Sequence, residues 1–217
     1  MKIKEGKTEL TVQHNGKDLT FQYPNFNGDY FQLQEQIEKA NLKCPNFGQT
    51  TSLVHNAFNS NDKYSEEIKQ IMKDAWFYAF TGNLYIPNKG VYIQDNPKIK
   101  EGNIFMEESE LVKKLEKNDS SVRFVPFGFK TKTMSALELA KNPYVIGLTG
   151  SEENADKLAQ IADKHKIIPH LWSFKKVDEK LARVSKLDAY SNFVDRLFVY
   201  GDNRGGNSSS YAFGVQE

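Results

Sequence analysis

Asn15-Gly16 constrains this chain more than any other pair of residues. It is the two-residue turn whose positions both accept positive φ, and it stands between two runs that alternate apolar with polar side chains. A loop of that length sets His14 opposite Lys17, Val12 opposite Leu19 and Leu10 opposite Phe21. Those four apolar residues then share one face, with Thr11, Gln13, Thr20 and Gln22 on the other.

After the turn-like stretch 24–28, Asp29 stands where it can cap a helix that carries Tyr30, Leu33 and Ile37 on one stripe, and Cys44-Pro45 closes the segment. A second helix holds Leu53, Val54, Ala57 and Phe58. The polar break at 59–62 supplies the next cap. From Tyr64 onward, Ile68, Ile71, Met72, Ala75, Trp76, Ala79 and Phe80 follow helical spacing as far as Gly82. Leu84 to Ile86 and Val91 to Ile93 flank Pro87-Asn88-Lys89-Gly90, which predicts a second hairpin with Leu84 facing Ile93 and Tyr85 facing Tyr92.

Residues 96–102 are polar, with a proline and a glycine, and place a soft boundary between a hairpin-and-helix half (1–100) and an α/β half (101–217), packed together as one globular unit. In the second half, apolar runs at 122–127, 144–148 and 167–172 alternate with helical patterns at 135–141 and 152–165. That β-α-β-α-β succession predicts parallel strands joined by crossovers. Antiparallel strands at 183–187, 197–200 and 211–215 close the chain. The fold class is therefore α+β, mixed α/β, in a chain of 217 residues, long enough to bury about 70% of its unfolded surface.

Charge and cysteine content narrow the function classes. Lysine and arginine number 29 against 28 acidic residues, a net charge of +1 that gives no field suited to nucleic acid or an anionic membrane. The single cysteine, Cys44, excludes an intrachain disulfide and a cysteine zinc cage, so a reducing, cytoplasmic location is expected. The N-terminal residues lack a signal peptide's apolar run, and no window of about 18 apolar residues is present to span a bilayer.

No motif of cofactor or metal chemistry stands out, and no cofactor is expected. Cys44 reads as a small buried residue. None of His14, His55, His165 and His170 pair at i, i+4; His170, in a strand-like run beside Pro169, is the one best placed to reach a site. The acidic groups at 107–110 and at 152–153 sit in first helical turns, where they offset the helix dipole. Glu152 and Glu153 also argue against anion binding at the strand-to-helix turn read from Tyr144 to Ser151.

The better anion candidate is the turn 128–133, with Lys130, Lys132 and Thr133 leading into a helix start at Ser135 that carries no acidic residue until Glu138. Ser173, Lys175 and Lys176 fall at the same sheet edge if the strands are parallel. The glycine- and serine-rich stretch 201–210 bears Asp202 and Arg204, and reads as a flexible connection or a ligand loop. These features favour a noncatalytic binding or scaffold protein with an unidentified protein partner; the rival is an enzyme or binder acting on a small phosphorylated or carboxylated metabolite.

Gly16→Val tests the opening turn. A β-branched residue forced to positive φ should cost about 1–3 kcal/mol, read as a lower urea midpoint; an unchanged midpoint would show that the turn is elsewhere.

Overall fold

The computed structural model describes residues 2–3, 9–189 and 196–216. Strands β1 (Lys2–Ile3), β2 (Glu9–His14) and β3 (Lys17–Gly28) open the chain, and the β2–β3 register is the one read from the turn: His14 faces Lys17, Val12 faces Leu19, Leu10 faces Phe21. Asn15 and Gly16 take φ of 49° and 74°. Helix α1 (Tyr30–Lys39) starts in a capping box, with Asp29 accepting from the Phe31 and Gln32 amides and Gln32 reaching back to the Asp29 amide. Helices α2 (Phe47–Phe58) and α3 (Lys63–Asp74) follow, capped by Asn46 and Asp62.

The helix read from Tyr64 to Phe80 is shorter in the structure. α3 ends at Asp74, Ala75 is extended, and β4 (Trp76–Ile86) begins at once. The run Trp-Phe-Tyr-Ala-Phe satisfies helical spacing because nearly every position is apolar, and such a run also suits a strand covered on both faces. Its aromatic content tips the balance toward the strand.

β5 (Gly90–Asp95) returns along β4 with Asn83 facing Ile93, Leu84 facing Tyr92 and Tyr85 facing Val91, one residue away from the expected pairing. Asn88 accepts a left-handed φ of 58° and the Lys89 amide donates to the Ile86 carbonyl, so the loop closes after three residues rather than four. A small hairpin, β6 (Lys98–Lys100) and β7 (Asn103–Phe105), then leads to α4 (Glu108–Glu116) and β8 (Val122–Pro126).

The expected β-α-β-α-β segment is also redrawn. After β9 (Lys132–Thr133) come α5 (Ala136–Ala140), α6 (Pro143–Thr149) and α7 (Glu152–His165) before β10 (Ile168–Trp172). Tyr144 to Leu148, read as a strand, is helical: Asn142 caps it, Pro143 occupies its first turn, and Gly150 closes it at a φ of 82°. Asn-Pro at the start and glycine at the end are helix punctuation that the apolar run concealed. The α+β class stands, but β8 and β10 are not parallel neighbours; β8 pairs with β5, and β10 lies between antiparallel β9 and a parallel strand at Arg196–Asn203 (β12).

The chain closes with β11 (Leu181–Asp188), β12 (Arg196–Asn203) and β13 (Ser210–Val215). The sheet runs β1-β2-β3-β13-β4-β11-β12-β10-β9, with β5 and β8 branching from the far end of β4. β4 is central: β11 lies along one edge, while β13 and β5 share the other.

Alternation along these strands makes two faces. Phe77, Ala79, Leu187, Leu197, Val199 and Leu171 point into the large core, which α2, α3, α6 and α7 complete with Leu53, Val54, Ile68, Met72, Leu148 and Leu158. On the opposite face, α1 lays Tyr30, Leu33 and Ile37 over Tyr78, Phe80 and Val184.

A buried polar cluster joins α6 to the strands. The Tyr144 hydroxyl donates to Asn83 Oδ1 at 2.8 Å and lies 3.0 Å from the Tyr85 hydroxyl; Tyr85 donates to the Gly201 carbonyl at 2.9 Å and meets Ser173 Oγ at 2.8 Å. Asn83 in turn donates to Ser185 Oγ. A Cβ at Gly201 would collide with the Tyr144 hydroxyl. Gly201→Ala should therefore displace that phenol and destabilise the protein by about 1–3 kcal/mol, the usual cost of overpacking. A thermal melt unchanged by the substitution would show that α6 does not pack here.

Candidate functional site

α1 covers only one end of its side of the sheet. Beyond Tyr78 the same face carries two rows of side chains set by strand register. Asp188 is paired with Phe198, and Phe198 with His170; Lys186 is paired with Tyr200, and Tyr200 with Trp172. Trp76 extends the first row on β4, one position beyond the Phe77–Leu187 pair. Trp172 keeps 43% of its surface exposed, an unusual amount for a tryptophan on a sheet.

Two cavities open on this face and share Trp172 and Tyr200 as a common wall. One, of about 400 Å³, is lined by Trp76, Trp172, Asp188, Phe198 and Tyr200. The other, of about 670 Å³, adds Asp202, Asn203 and the loop residues Arg204, Gly206, Asn207 and Ser208.

Charged groups are embedded among the rings. The Lys186 ammonium lies 4.3 Å from the Trp76 ring centre and 4.4 Å from that of Tyr200. Burial pushes its pKa down, while Asp188 and Asp202 oppose the shift. Burial raises the Asp202 carboxyl, with Lys186 and Arg183 pulling it back. Tyr200 is raised by burial and by the Asp188 carboxylate.

The glycine- and serine-rich loop is tied down by specific hydrogen bonds. Asn203 Oδ1 accepts from the Tyr78 hydroxyl at 3.0 Å and from the Gly205 amide at 2.8 Å. The Tyr30 amide at the start of α1 donates to the Gly205 carbonyl, and the Asn207 amide donates to the Tyr78 hydroxyl. The wall of the larger cavity is thus held by the same helix that covers the other end of the face.

Of the residues singled out from sequence, His170, Asp202 and Arg204 come to this face. The His170 ring lies tilted against those of Trp172 and Phe198, with ring centres 4.7 and 5.6 Å away, and its Nδ1 lies 3.0 Å from Thr133 Oγ1. Thr133 and Lys132 form β9 at the adjoining edge of the sheet.

Lys130 lies apart, donating to Glu138 at 2.7 Å beside a third cavity, of about 610 Å³, that includes Phe127, Phe129 and Leu137. The α5 start is compensated: Lys130, and the Ser135 amide and hydroxyl, hold the Glu138 carboxyl at a pKa of about 2. Ser173 is spent in the buried tyrosine cluster, and Lys175 and Lys176 are exposed on the loop after β10. Cys44 is buried, and burial pushes its thiol up to about 12.

Sequence reasoning missed Trp76, Trp172, Lys186, Asp188, Phe198 and Tyr200. The signal for four of them was alternation: Lys186 and Asp188, then Phe198 and Tyr200, all fall on the face opposite the apolar Leu187, Leu197 and Val199. Among the described residues, no group of three or more histidine, cysteine or acidic side chains is placed to hold a metal ion.

No known family model matches the chain, and neither does any curated protein. One solved structure, described as "Accommodation of massive sequence variation in Nanoarchaeota by the C-type lectin fold", aligns over 94% of this chain and 100% of its own, with a TM-score of 0.61 and 17% identity. At that identity the likeness shows the fold alone: the architecture is that of the C-type lectin fold.

Burial lowers the pKa of His14, His55 and His170. The unfolded chain, with histidines near 6.5, therefore takes up protons before the folded one. The stability these groups supply is complete above pH 6.5 and is lost as pH falls below it. Urea midpoints should drop between pH 7.5 and 5.5, and His170→Gln should flatten part of that drop; a midpoint constant or rising over this range would contradict it.

Proposed function

We propose that this chain is a noncatalytic binding protein whose ligand or partner docks on the open sheet face around Trp172 and Tyr200. The observation that carries the reading is the pair of adjoining cavities that share those two rings, one walled by aromatic side chains and the other by Asp202, Asn203, Arg204 and the pinned loop. An apolar patch bordered by fixed polar groups is the usual anatomy of a recognition site.

The chemistry of the face fits binding better than turnover. Lys186 is buried against two rings rather than aimed into either cavity, and no nucleophile with an adjacent base lines the walls. The solved neighbour's fold is described as accommodating massive sequence variation. A frame of that kind suits a protein whose specificity resides in side chains displayed on a rigid sheet.

Trp172→Ala is the direct test, because the ring is half in solvent and its removal leaves the core intact. Ligands recovered from a thermal-shift screen should bind the variant about tenfold or more weakly, since truncating a central aromatic anchor costs about 2 kcal/mol or more and tenfold is about 1.4 kcal/mol. Lys130→Ala should bind them as wild type does. Equal binding by Trp172→Ala, with loss in Lys130→Ala, would move the site to the other cavity.

A further inference from the structure

We propose that the smaller of the two cavities takes an alkylated ammonium group. The inference rests on the reading of this face as the binding site and names the chemistry it selects.

Four aromatic side chains, Trp76, Trp172, Phe198 and Tyr200, wall a space of about 400 Å³, and Asp188 is the only charged residue among its lining. A ring face carries negative electrostatic potential, so several rings around one space favour a cation, tryptophan most of all.

Two of these rings already hold a cation. The Lys186 ammonium, outside the cavity's own lining, sits 4.3 Å from the Trp76 centre and 4.4 Å from that of Tyr200, so these two rings tolerate a positive group at cation–π distance in this environment. Asp188 lines the cavity and Asp202 its neighbour, and both act on Lys186 electrostatically, so the ammonium is offset by negative charge around the cavity.

Alkylation follows from the hydrogen-bonding capacity of the walls. A primary ammonium brings three donors that need acceptors once water is removed, and the lining offers the Asp188 carboxylate and the Tyr200 hydroxyl, which already lie together. A methylated ammonium has the charge without the donors, and its methyl groups can rest on ring faces. The same group occurs on free choline-like molecules and on methylated lysine side chains.

Both tryptophans of the chain line this cavity, so intrinsic tryptophan fluorescence reads its occupancy with no label. The full chain is titrated at constant ionic strength with choline, with 3,3-dimethylbutan-1-ol as its neutral isostere, and with a neutral peptide carrying either lysine or trimethyl-lysine. The expected result is saturable quenching by choline, by the trimethyl-lysine peptide or by both, at least tenfold tighter than by the isostere or the unmodified peptide. Choline alone identifies a small-molecule ligand, and preference for the peptide identifies a protein side chain.

Trp172→Ala should abolish the difference between choline and isostere, and the isosteric Asp188→Asn should reduce it with circular dichroism unchanged. Equal binding of choline and the isostere, or no binding of any of the four probes, would overturn the ammonium assignment. The broader site reading fails separately, when ligands from the thermal-shift screen bind Trp172→Ala as they bind wild type.

Discussion

The point at which α3 gives way to β4 decides what this protein can present. Ala75 leaves the helix, Trp76 starts the strand, and from there strict alternation sends Phe77 and Ala79 into the helical core and Trp76, Tyr78 and Phe80 to the opposite face. β4 then fixes β11 in antiparallel register, β11 fixes β12, and β12 fixes β10. Each pairing carries the alternation one strand further. Lys186, Asp188, Phe198, Tyr200, His170 and Trp172 share a face because a slip of one residue anywhere in that series would bury them and expose Leu187, Val199 and Leu171.

Cover at one end of that face comes from α1, with Ile99 and Ile104 of the β6–β7 hairpin packed against the same cluster. α1 seats Tyr30 against Tyr78 and Phe80, with ring centres 5.5 and 4.9 Å apart, and its first amide holds the Gly205 carbonyl of the loop before β13. The helix thus closes one half of the face and fixes the rim of the other. On the remaining aromatic surface the Lys186 ammonium lies over the rings of Trp76 and Tyr200.

Much of the local structure was legible in the sequence, because short-range rules governed it. Asn15-Gly16 announced its register, and Asp29, the polar break ending at Asp62, and Ser135 announced helix starts. The misread segments were those where long-range pairing chose between two local solutions. Trp76 to Phe80 fits a helix or a strand, and only β11 and β13 on its edges select the strand. Tyr144 to Leu148 is as apolar as a buried strand, yet its phenol must reach Asn83 and Tyr85, which it does from a helix.

The site was legible only in fragments. His170, Asp202 and Arg204 were visible as unusual residues in strand or loop contexts; in the structure Asp202 and Arg204 line the larger cavity, and His170 touches its Trp172 wall. Lys130 looked available because its partner Glu138 lies eight residues away, beyond any helical spacing that would reveal the pair. Trp172 and Tyr200 meet across two strands that are 28 residues apart in sequence but directly paired in space. The central claim, that ligands engage this face, is tested most directly by the two indole N–H resonances in a nitrogen–proton correlation spectrum, assigned with Trp→Phe variants. On adding a ligand recovered by thermal shift, both indoles should move while the amides of Lys130 and Leu137 stay in place. Shifts confined to Lys130 and Leu137, with both indoles unmoved, would contradict the account.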